Sequence, residues 1–261
     1  MPRDRRAVVL ATCLALAVGP FCAGSSSDAT APPSPSPKPA ALGRGARVLF
    51  IGNSLTVAND LPGEVRVLAT AAGLGWDVQE ELVGGAGLAE HWQRGAAQAL
   101  IQSGHWDAVV LQQGPSSLPE SRTNLREWAA QFDRLVRAAG GRSALYMVWP
   151  ELSRFSWFDR VRDSYALAAR DVSGWFLPAG EAWRAAWRGD PSLALYGGDG
   201  FHPTAAGSYA AALTIFAGLS GRSPVGLPAP ATVDATTAER LQQAAEEALE
   251  QYSDYGPVDV P

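Results

Sequence analysis

The sequence has little cysteine and little lysine. Of its 261 residues, two are cysteine, Cys13 and Cys22, and both lie near the N-terminus. The rest of the chain therefore has no thiol for a disulfide, a nucleophile or a metal ligand. Lys38 is the single lysine beside twenty arginines, and the net charge is −5. That charge argues against a protein that binds nucleic acid through phosphate contacts.

The composition is that of a globular protein. Hydrophobic residues make up 47% of the chain and charged residues 18%. This is enough apolar material for one substantial core, and it excludes a fully disordered or collagen-like chain.

Residues 1–24 have the pattern of a signal peptide. Ala7–Val18 is an apolar run of twelve residues, too short to span a membrane comfortably. Small residues follow it, and they permit cleavage after Gly24. Three positive charges precede it, Arg3, Arg5 and Arg6. The sequence therefore predicts a secreted or cell-envelope protein.

Two alternatives for the N-terminus stay open. It could form an anchor helix, or Cys22 could carry a lipid, which the bulky Phe21 disfavours. Residues 25–46 are rich in serine and proline and cannot build a packed element. We predict that they form a linker, which would hold a domain of residues 47–261 away from the membrane or wall.

From Arg47 onward, short apolar runs alternate with longer amphipathic ones. The short runs predict strands at 47–51, 76–83, 106–112, 143–149 and from 175. The longer runs predict helices at 62–72, 88–103, 121–139, 155–172, up to 187, 204–219 and 236–252. Such alternation predicts an α/β fold, with a parallel sheet of about five strands and helices on both faces. Ligands of such sheets bind beyond the carboxyl ends of the strands.

A serine follows the first predicted strand, in Gly52-Asn53-Ser54. A serine at this place can present its hydroxyl above the sheet, and its backbone N–H can face a developing oxyanion. It can also be an ordinary helix cap.

A nucleophilic serine needs a base, and the chain has three histidines. His202 stands three residues after Asp199, a spacing at which a tight turn lets the carboxylate reach the imidazole Nδ1–H. The alternative is a polar loop with a cap. We expect a packing or pocket-lining role for His91 and a surface position for His105.

Glycines follow the second predicted strand, at positions 84, 85 and 87. Glycine lets backbone N–H groups turn toward an anion. The loop lacks the third glycine of a dinucleotide loop and has no following lysine, so nucleotide binding is disfavoured. A flexible turn and an oxyanion role both remain open.

The Gly-Asn-Ser and Asp-x-x-His-Pro motifs, at opposite ends of an α/β chain, resemble those of the SGNH (GDSL-type) hydrolase superfamily. The resemblance covers nearly all of the chain from residue 47. It implies a flavodoxin-like three-layer α/β/α sandwich that hydrolyses esters, often O-acetyl groups on sugars. It implies that Ser54 is the nucleophile, His202 the base and Asp199 the acid that orients it. A glycine of the 84–87 loop would donate a backbone N–H to the oxyanion, and Gly85 is our choice.

One motif departs from the family. Its third block usually reads Gly-x-Asn-Asp, whereas Gln112 and Gln113 stand at this strand end and Ser116 takes the position of the asparagine. Either glutamine could supply the amide donor, or both could be structural. Side chains alternate across a strand, so at most one should point at Ser54. We predict Gln112.

These features predict an exported serine esterase that needs no metal or organic cofactor and does not bind nucleic acid. Its substrate would be a small or polysaccharide ester. The rival hypothesis is a catalytically weak or inactive carbohydrate-binding domain of the cell envelope. Nine tryptophans, Trp92 and Trp149 among them, could stack on sugars, but most are expected to fill the core. Natural substrate, acyl length and oligomeric state are left open.

Overall fold

The structure is a computed structural model that describes residues 39–252. The predicted signal peptide and residues 25–38 of the predicted linker lie outside this range. No helix within residues 39–252 combines the length and apolarity needed to cross a membrane.

Five parallel strands form the central sheet. They are β1 (Arg47–Gly52), β2 (Asp77–Leu82), β3 (Ala108–Leu111), β4 (Arg142–Tyr146) and β5 (Trp175–Leu177). Their spatial order is β2-β1-β3-β4-β5, and every neighbouring pair is parallel. All carboxyl ends therefore lie along one edge, which confirms the predicted fold class.

Burial explains the composition of the strands. β3 (AVVL) is buried at every position, as expected for a central strand covered on both faces. β2 (DVQEEL) is an edge strand with several exposed polar side chains. Charged residues on an edge strand discourage pairing with another chain.

Nine α-helices and two short 3-10 helices, Ala58–Asp60 and Leu152–Trp157, complete the described part of the chain. The α-helices are α1 (Ser54–Val57), α2 (Leu61–Ala71), α3 (Leu88–Arg94), α4 (Ala96–Ser103), α5 (Pro119–Ala138), α6 (Phe158–Asp171), α7 (Ala179–Gly189), α8 (Ala205–Ser220) and α9 (Ala235–Tyr252). On one face, α2 packs against β2 and α8 against β5, and the two helices contact each other. On the other face, α5 and α6 pack against β4. These are the two helical layers of a three-layer sandwich.

Two local features differ from the prediction. The single helix expected over 88–103 is two helices, because Gly95 between them has φ +81°, a left-handed conformation. The domain's contacts also begin before Arg47, inside the segment predicted as linker. Leu42 N donates to Leu219 O at 2.8 Å, and Gly45 N donates to Leu74 O at 2.8 Å.

Candidate active site

The structure brings Ser54, His202 and Asp199 together beyond the carboxyl end of β1. Ser54 Oγ lies 2.9 Å from His202 Nε2. On the other side of the ring, His202 Nδ1 lies 2.6 Å from Asp199 Oδ2. The three residues come from opposite ends of the chain, since Ser54 opens α1 and the other two immediately precede α8.

The carboxylate of Asp199 determines the tautomer of the imidazole. It accepts a hydrogen bond from Nδ1–H, which leaves Nε2 free to accept the hydrogen bond of the Ser54 hydroxyl. Its other oxygen accepts the backbone N–H groups of Phe201 and His202, each at 2.9 Å. The hydrogen bond from His202, followed by these two backbone bonds, lowers the pKa of Asp199 to about 2. The group is therefore a carboxylate at any pH at which a protein of this kind would work.

Asn53 organises the turn that carries Ser54. Its side-chain oxygen accepts the N–H of Leu55 at 3.1 Å and so caps α1. Its side-chain nitrogen donates to Ala86 O at 3.0 Å, in the glycine-rich loop after β2. Ser54 follows as the first residue of α1, so its N–H has no acceptor within the helix. Asn53 thus joins the serine turn to the glycine loop.

Gly85 lies in a tight turn of that loop. Ala86 N donates to Val83 O at 3.0 Å, and Gly85 between them has φ +73°. Glycine takes this conformation without steric cost. A Cβ on Gly85 would meet nothing within 4 Å, so the position faces open space.

Gln112 does not have the geometry predicted for it, and we correct that prediction. Its Oε1 accepts the Asn53 backbone N–H at 2.8 Å and the Thr56 hydroxyl at 2.7 Å. Because a backbone N–H can only donate, this contact fixes which end of the amide faces Asn53. Nε2 then donates to Asn53 Oδ1 at 3.0 Å and to Gln113 O. Both amide hydrogens are used inside the protein, and none is left for an oxyanion.

Gln113 is also occupied. Its Nε2 donates to Ser116 Oγ at 2.8 Å, and its Oε1 accepts the Leu88 N–H at 3.3 Å. The buried hydroxyl of Tyr165 donates to Gln113 O at 2.7 Å. The two glutamines therefore hold the loop after β3 in place.

His91 is fully buried, in keeping with the expected packing role. Its Nε2 lies 2.8 Å from Gly52 O and must carry the proton, because a carbonyl can only accept. Burial lowers the pKa of His91, so the ring is neutral. His105 is exposed on the surface, as expected. Within residues 39–252, no group of three or more His, Cys, Asp or Glu side chains could hold a metal ion.

Asn59 was not singled out from the sequence. Its side-chain nitrogen donates to Ser208 Oγ at 2.9 Å and to Pro203 O at 3.2 Å. It therefore links the segment after Ser54 to the residue that follows His202. Asn59 and Asp60 have φ of 58° and 54°. An Asn-Asp pair between two helices is a signal for such left-handed backbone, and it could have directed attention here.

Solved structures with a similar fold include members of known families. The chain is similar to a protein from Slackia heliotrinireducens assigned to the SGNH hydrolases. The two are 30% identical over 67% of this chain and 99% of that one, with a TM-score of 0.57. A DUF4886 family protein from Bacteroides uniformis is 20% identical over 83% of this chain and 98% of its own, with a TM-score of 0.68.

An acetylxylan esterase from Geobacillus stearothermophilus, solved as a catalytic mutant, shares the fold. It is 17% identical over 68% of this chain and 95% of its own, with a TM-score of 0.51. No protein-family model matches the chain, and no curated protein matches its sequence.

The fold and site define a class of protein, a three-layer α/β/α domain with a hydrogen-bonded Ser, His and Asp at the carboxyl edge of its sheet. The 30% sequence identity with the Slackia protein, over 99% of that chain, also shows the family. The chain belongs to the SGNH hydrolases.

Proposed function

We propose that this protein is a serine esterase, with Ser54 as nucleophile, His202 as general base and acid, and Asp199 as the group that orients the imidazole. The observation that carries this proposal is the continuous hydrogen-bonded path Ser54–His202–Asp199, with heavy-atom distances of 2.9 and 2.6 Å. Such a path is what a hydroxyl needs in order to be activated by an adjacent base.

In the first half of the reaction, Ser54 Oγ attacks the carbonyl carbon of the ester. Its proton moves to His202 Nε2, and the imidazolium that forms is stabilised by the Asp199 carboxylate. The tetrahedral intermediate then collapses, and Nε2–H protonates the leaving alcohol. In the second half, His202 Nε2 takes a proton from a water molecule whose oxygen attacks the acyl carbon. When this second intermediate collapses, the bond to Ser54 Oγ breaks, Nε2–H returns the proton to Oγ, and the acid leaves.

The oxyanion is stabilised, in this proposal, by the backbone N–H groups of Ser54 and Gly85. Asn53 fixes both donors relative to each other through its bond to Ala86 O at 3.0 Å. Both amide hydrogens of Gln112 bond inside the protein, and the Gln113 amide donates to Ser116 Oγ. Donors held rigidly where negative charge develops are a large source of rate enhancement.

The substrate we propose is a short acyl ester, most simply an acetyl group on a carbohydrate. The fold shared with an acetylxylan esterase supports this choice. The side chains of His202 and Asp199 are 42% and 52% exposed, so the site is open enough for an ester carried on a large polymer. We also propose that the protein acts outside the cell, on the strength of residues 1–24.

A fluorophosphonate probe tests this proposal directly, because it labels only an activated serine. The wild-type protein should be labelled and should hydrolyse p-nitrophenyl acetate, whereas Ser54→Ala should do neither. Acetylated polysaccharides assayed beside a series of p-nitrophenyl esters would then identify the acyl group and the substrate class.

A matched control separates lost chemistry from lost folding. Ser121 caps the exposed N-terminus of α5, remote in sequence from Ser54, and Ser121→Ala should keep full labelling. If the folded wild-type protein resists the probe and hydrolyses no ester, the esterase proposal is wrong. The non-catalytic carbohydrate-binding hypothesis would then be the one to test.

A further inference from the structure

The loop that carries Asp199 and His202 must be held in position for His202 to reach Ser54. The Asp199 and His202 side chains are each about half exposed, so close packing does not hold them. The loop that carries them, 197–202, contains three glycines, and glycine is the most flexible of residues. Hydrogen bonds inside the loop, from Gly197 N to His202 O at 2.7 Å and from Gly200 N to Gly197 O at 3.0 Å, close it as a turn. The orientation of this turn toward Ser54 then depends on its contacts with the rest of the protein.

The segment after β4 supplies that support. Leu152 N donates to Gly200 O at 2.8 Å, and Trp149 Nε1 donates to Phe201 O at 2.9 Å. Gly200 and Phe201 are the two residues between Asp199 and His202. Tyr196, just before the loop, donates its hydroxyl to Pro150 O at 2.6 Å.

The hydrogen bond from Trp149 acts on the peptide unit that joins Phe201 to His202. The Phe201 carbonyl that it binds shares a peptide plane with the His202 N–H, which donates to Asp199 Oδ1 at 2.9 Å. A peptide unit is planar and rigid, so holding both of its ends fixes its orientation. The Cα of His202 lies in the same plane. Fixing this plane therefore fixes the position from which the imidazole side chain extends toward Ser54.

Trp149 is itself immobile. Its side chain is 0% exposed, and its ring stacks on Trp183 with centroids 3.6 Å apart and planes inclined by 14°. The indole N–H thus points at Phe201 O from a rigid base in the core. The sequence placed Trp149 near a strand end but gave no sign of this contact.

We infer that Trp149 is a positioning residue for the reaction: its indole N–H fixes the Phe201–His202 peptide plane and thereby the distance from His202 Nε2 to Ser54 Oγ. The inference rests on the proposed function for its kinetic test. It concerns the geometry of the site and does not depend on which ester is the substrate.

The test compares Trp149→Phe with Trp183→Phe. The two tryptophans form one stacked pair, both are fully buried, and each donates its N–H to a backbone carbonyl, Trp183 to Gly207 O at 3.0 Å. Both variants lose one hydrogen bond and similar ring volume, and we expect similar losses of thermal stability. Only Trp149→Phe releases the peptide plane next to His202.

Trp149→Phe should lower kcat for p-nitrophenyl acetate by about ten- to a hundredfold, with KM nearly unchanged, because a small misplacement of a catalytic group is costly. Trp183→Phe should keep kcat within about threefold of wild type. The rate of fluorophosphonate labelling should follow kcat. Should Trp149→Phe fold poorly, Tyr196→Phe frees the same segment through Pro150 O and should lower kcat in the same sense.

A readout that needs no activity accompanies the kinetics. The Nδ1 proton of His202, bonded to Asp199, should give a downfield proton NMR signal that Asp199→Asn removes. The signal should shift or broaden in Trp149→Phe and stay unchanged in Trp183→Phe. Equal kcat and equal NMR signals in the two variants would overturn the inference. A wild-type protein that shows the signal but no activity would instead count against the esterase proposal alone.

Discussion

Each polar atom of the Gln112 side chain meets a buried partner around the serine turn. It accepts from the Asn53 N–H and the Thr56 hydroxyl and donates to Asn53 Oδ1. A Cβ on Gly52 would lie 2.6 Å from Gln112 Oε1, so the glycine before Asn53 leaves room for this network. A glutamine is long enough to reach from β3 to the turn after β1. Its role is to hold the serine turn in place through its hydrogen bonds to Asn53 and Thr56.

Gln112→Ala should therefore cost stability as well as activity. It leaves the Asn53 N–H and the Thr56 hydroxyl without their buried acceptor, and each unsatisfied group costs about 1–3 kcal/mol. Urea unfolding should show a loss of at least about 2 kcal/mol, and kcat should fall because the turn of Ser54 loosens. A variant with wild-type stability and a selective loss of kcat would restore Gln112 as an oxyanion donor.

The sequence was sufficient to select the three residues that the structure brings together. Ser54 comes shortly after β1, and His202 comes shortly before α8. Because all strands are parallel, both residues lie at the carboxyl ends of the strands. The direction of the Gln112 amide was beyond sequence reasoning, because it depends on the Asn53 N–H, 59 residues away. The alternation of side chains along a strand predicts the face of the sheet on which a side chain lies. It does not predict the hydrogen-bond partner of that side chain.

Glu64 predicts a pH effect on stability. Burial, and next the negative charge of Asp60, raise the pKa of Glu64 from 4.5 to about 8, and one of its oxygens is buried without a partner among the described residues. Between these two pKa values the folded state holds a proton that the unfolded state has lost. Stability therefore falls as pH rises from about 4.5 to about 8.

Glu64→Gln removes this titration. The variant should be more stable than wild type at pH 9, and the difference in Tm should shrink toward pH 5. Thermal unfolding of both proteins across this range measures it, with other titrating groups cancelling in the comparison. Parallel Tm curves for the two proteins would show that Glu64 ionises normally.

Among the elements, sequence periodicity located every strand and most helices, because buried apolar runs are the dominant signal. It failed where backbone conformation and not burial decides. The expected helix over 88–103 bends at Gly95, whose φ of +81° ends α3 and begins α4. Apolar spacing continues through the bend, so the pattern alone gave no warning. A glycine inside a helical pattern was the available clue.

Gly95→Ala distinguishes one continuous helix over 88–103 from two helices separated at Gly95, because the change in the free energy of unfolding has opposite signs in the two cases. In one continuous helix, alanine would stabilise the protein by about 1 kcal/mol relative to glycine. At a left-handed position, alanine instead costs about 1–2 kcal/mol. A Cβ here would meet nothing within 4 Å, so crowding does not confuse the comparison. We expect Gly95→Ala to lower the free energy of unfolding in urea. A gain would mean that a straight helix is readily accessible.

At the scale of the whole molecule, the last prediction concerns where the protein acts. A domain whose only cysteines precede residue 25 has no thiols to protect, and its stability depends on its core and on hydrogen bonds. The absence of cysteine after residue 24 is therefore compatible with an oxidising and with a reducing compartment. The prediction of export therefore rests on the N-terminal pattern of charges followed by the apolar run.

We predict that the chain produced with its own leader in a bacterial host leaves the cytoplasm and begins near Ser25. Intact-mass analysis of the exported protein checks this, and Cys22→Ser should not change the result. Replacing Arg3, Arg5 and Arg6 by glutamine should reduce export, because the positive charges orient the leader in the membrane. A lipid on Cys22 would keep the export prediction and correct the cleavage site. Cytoplasmic protein with Met1 intact would contradict both, and the substrate would then have to be an ester found inside the cell.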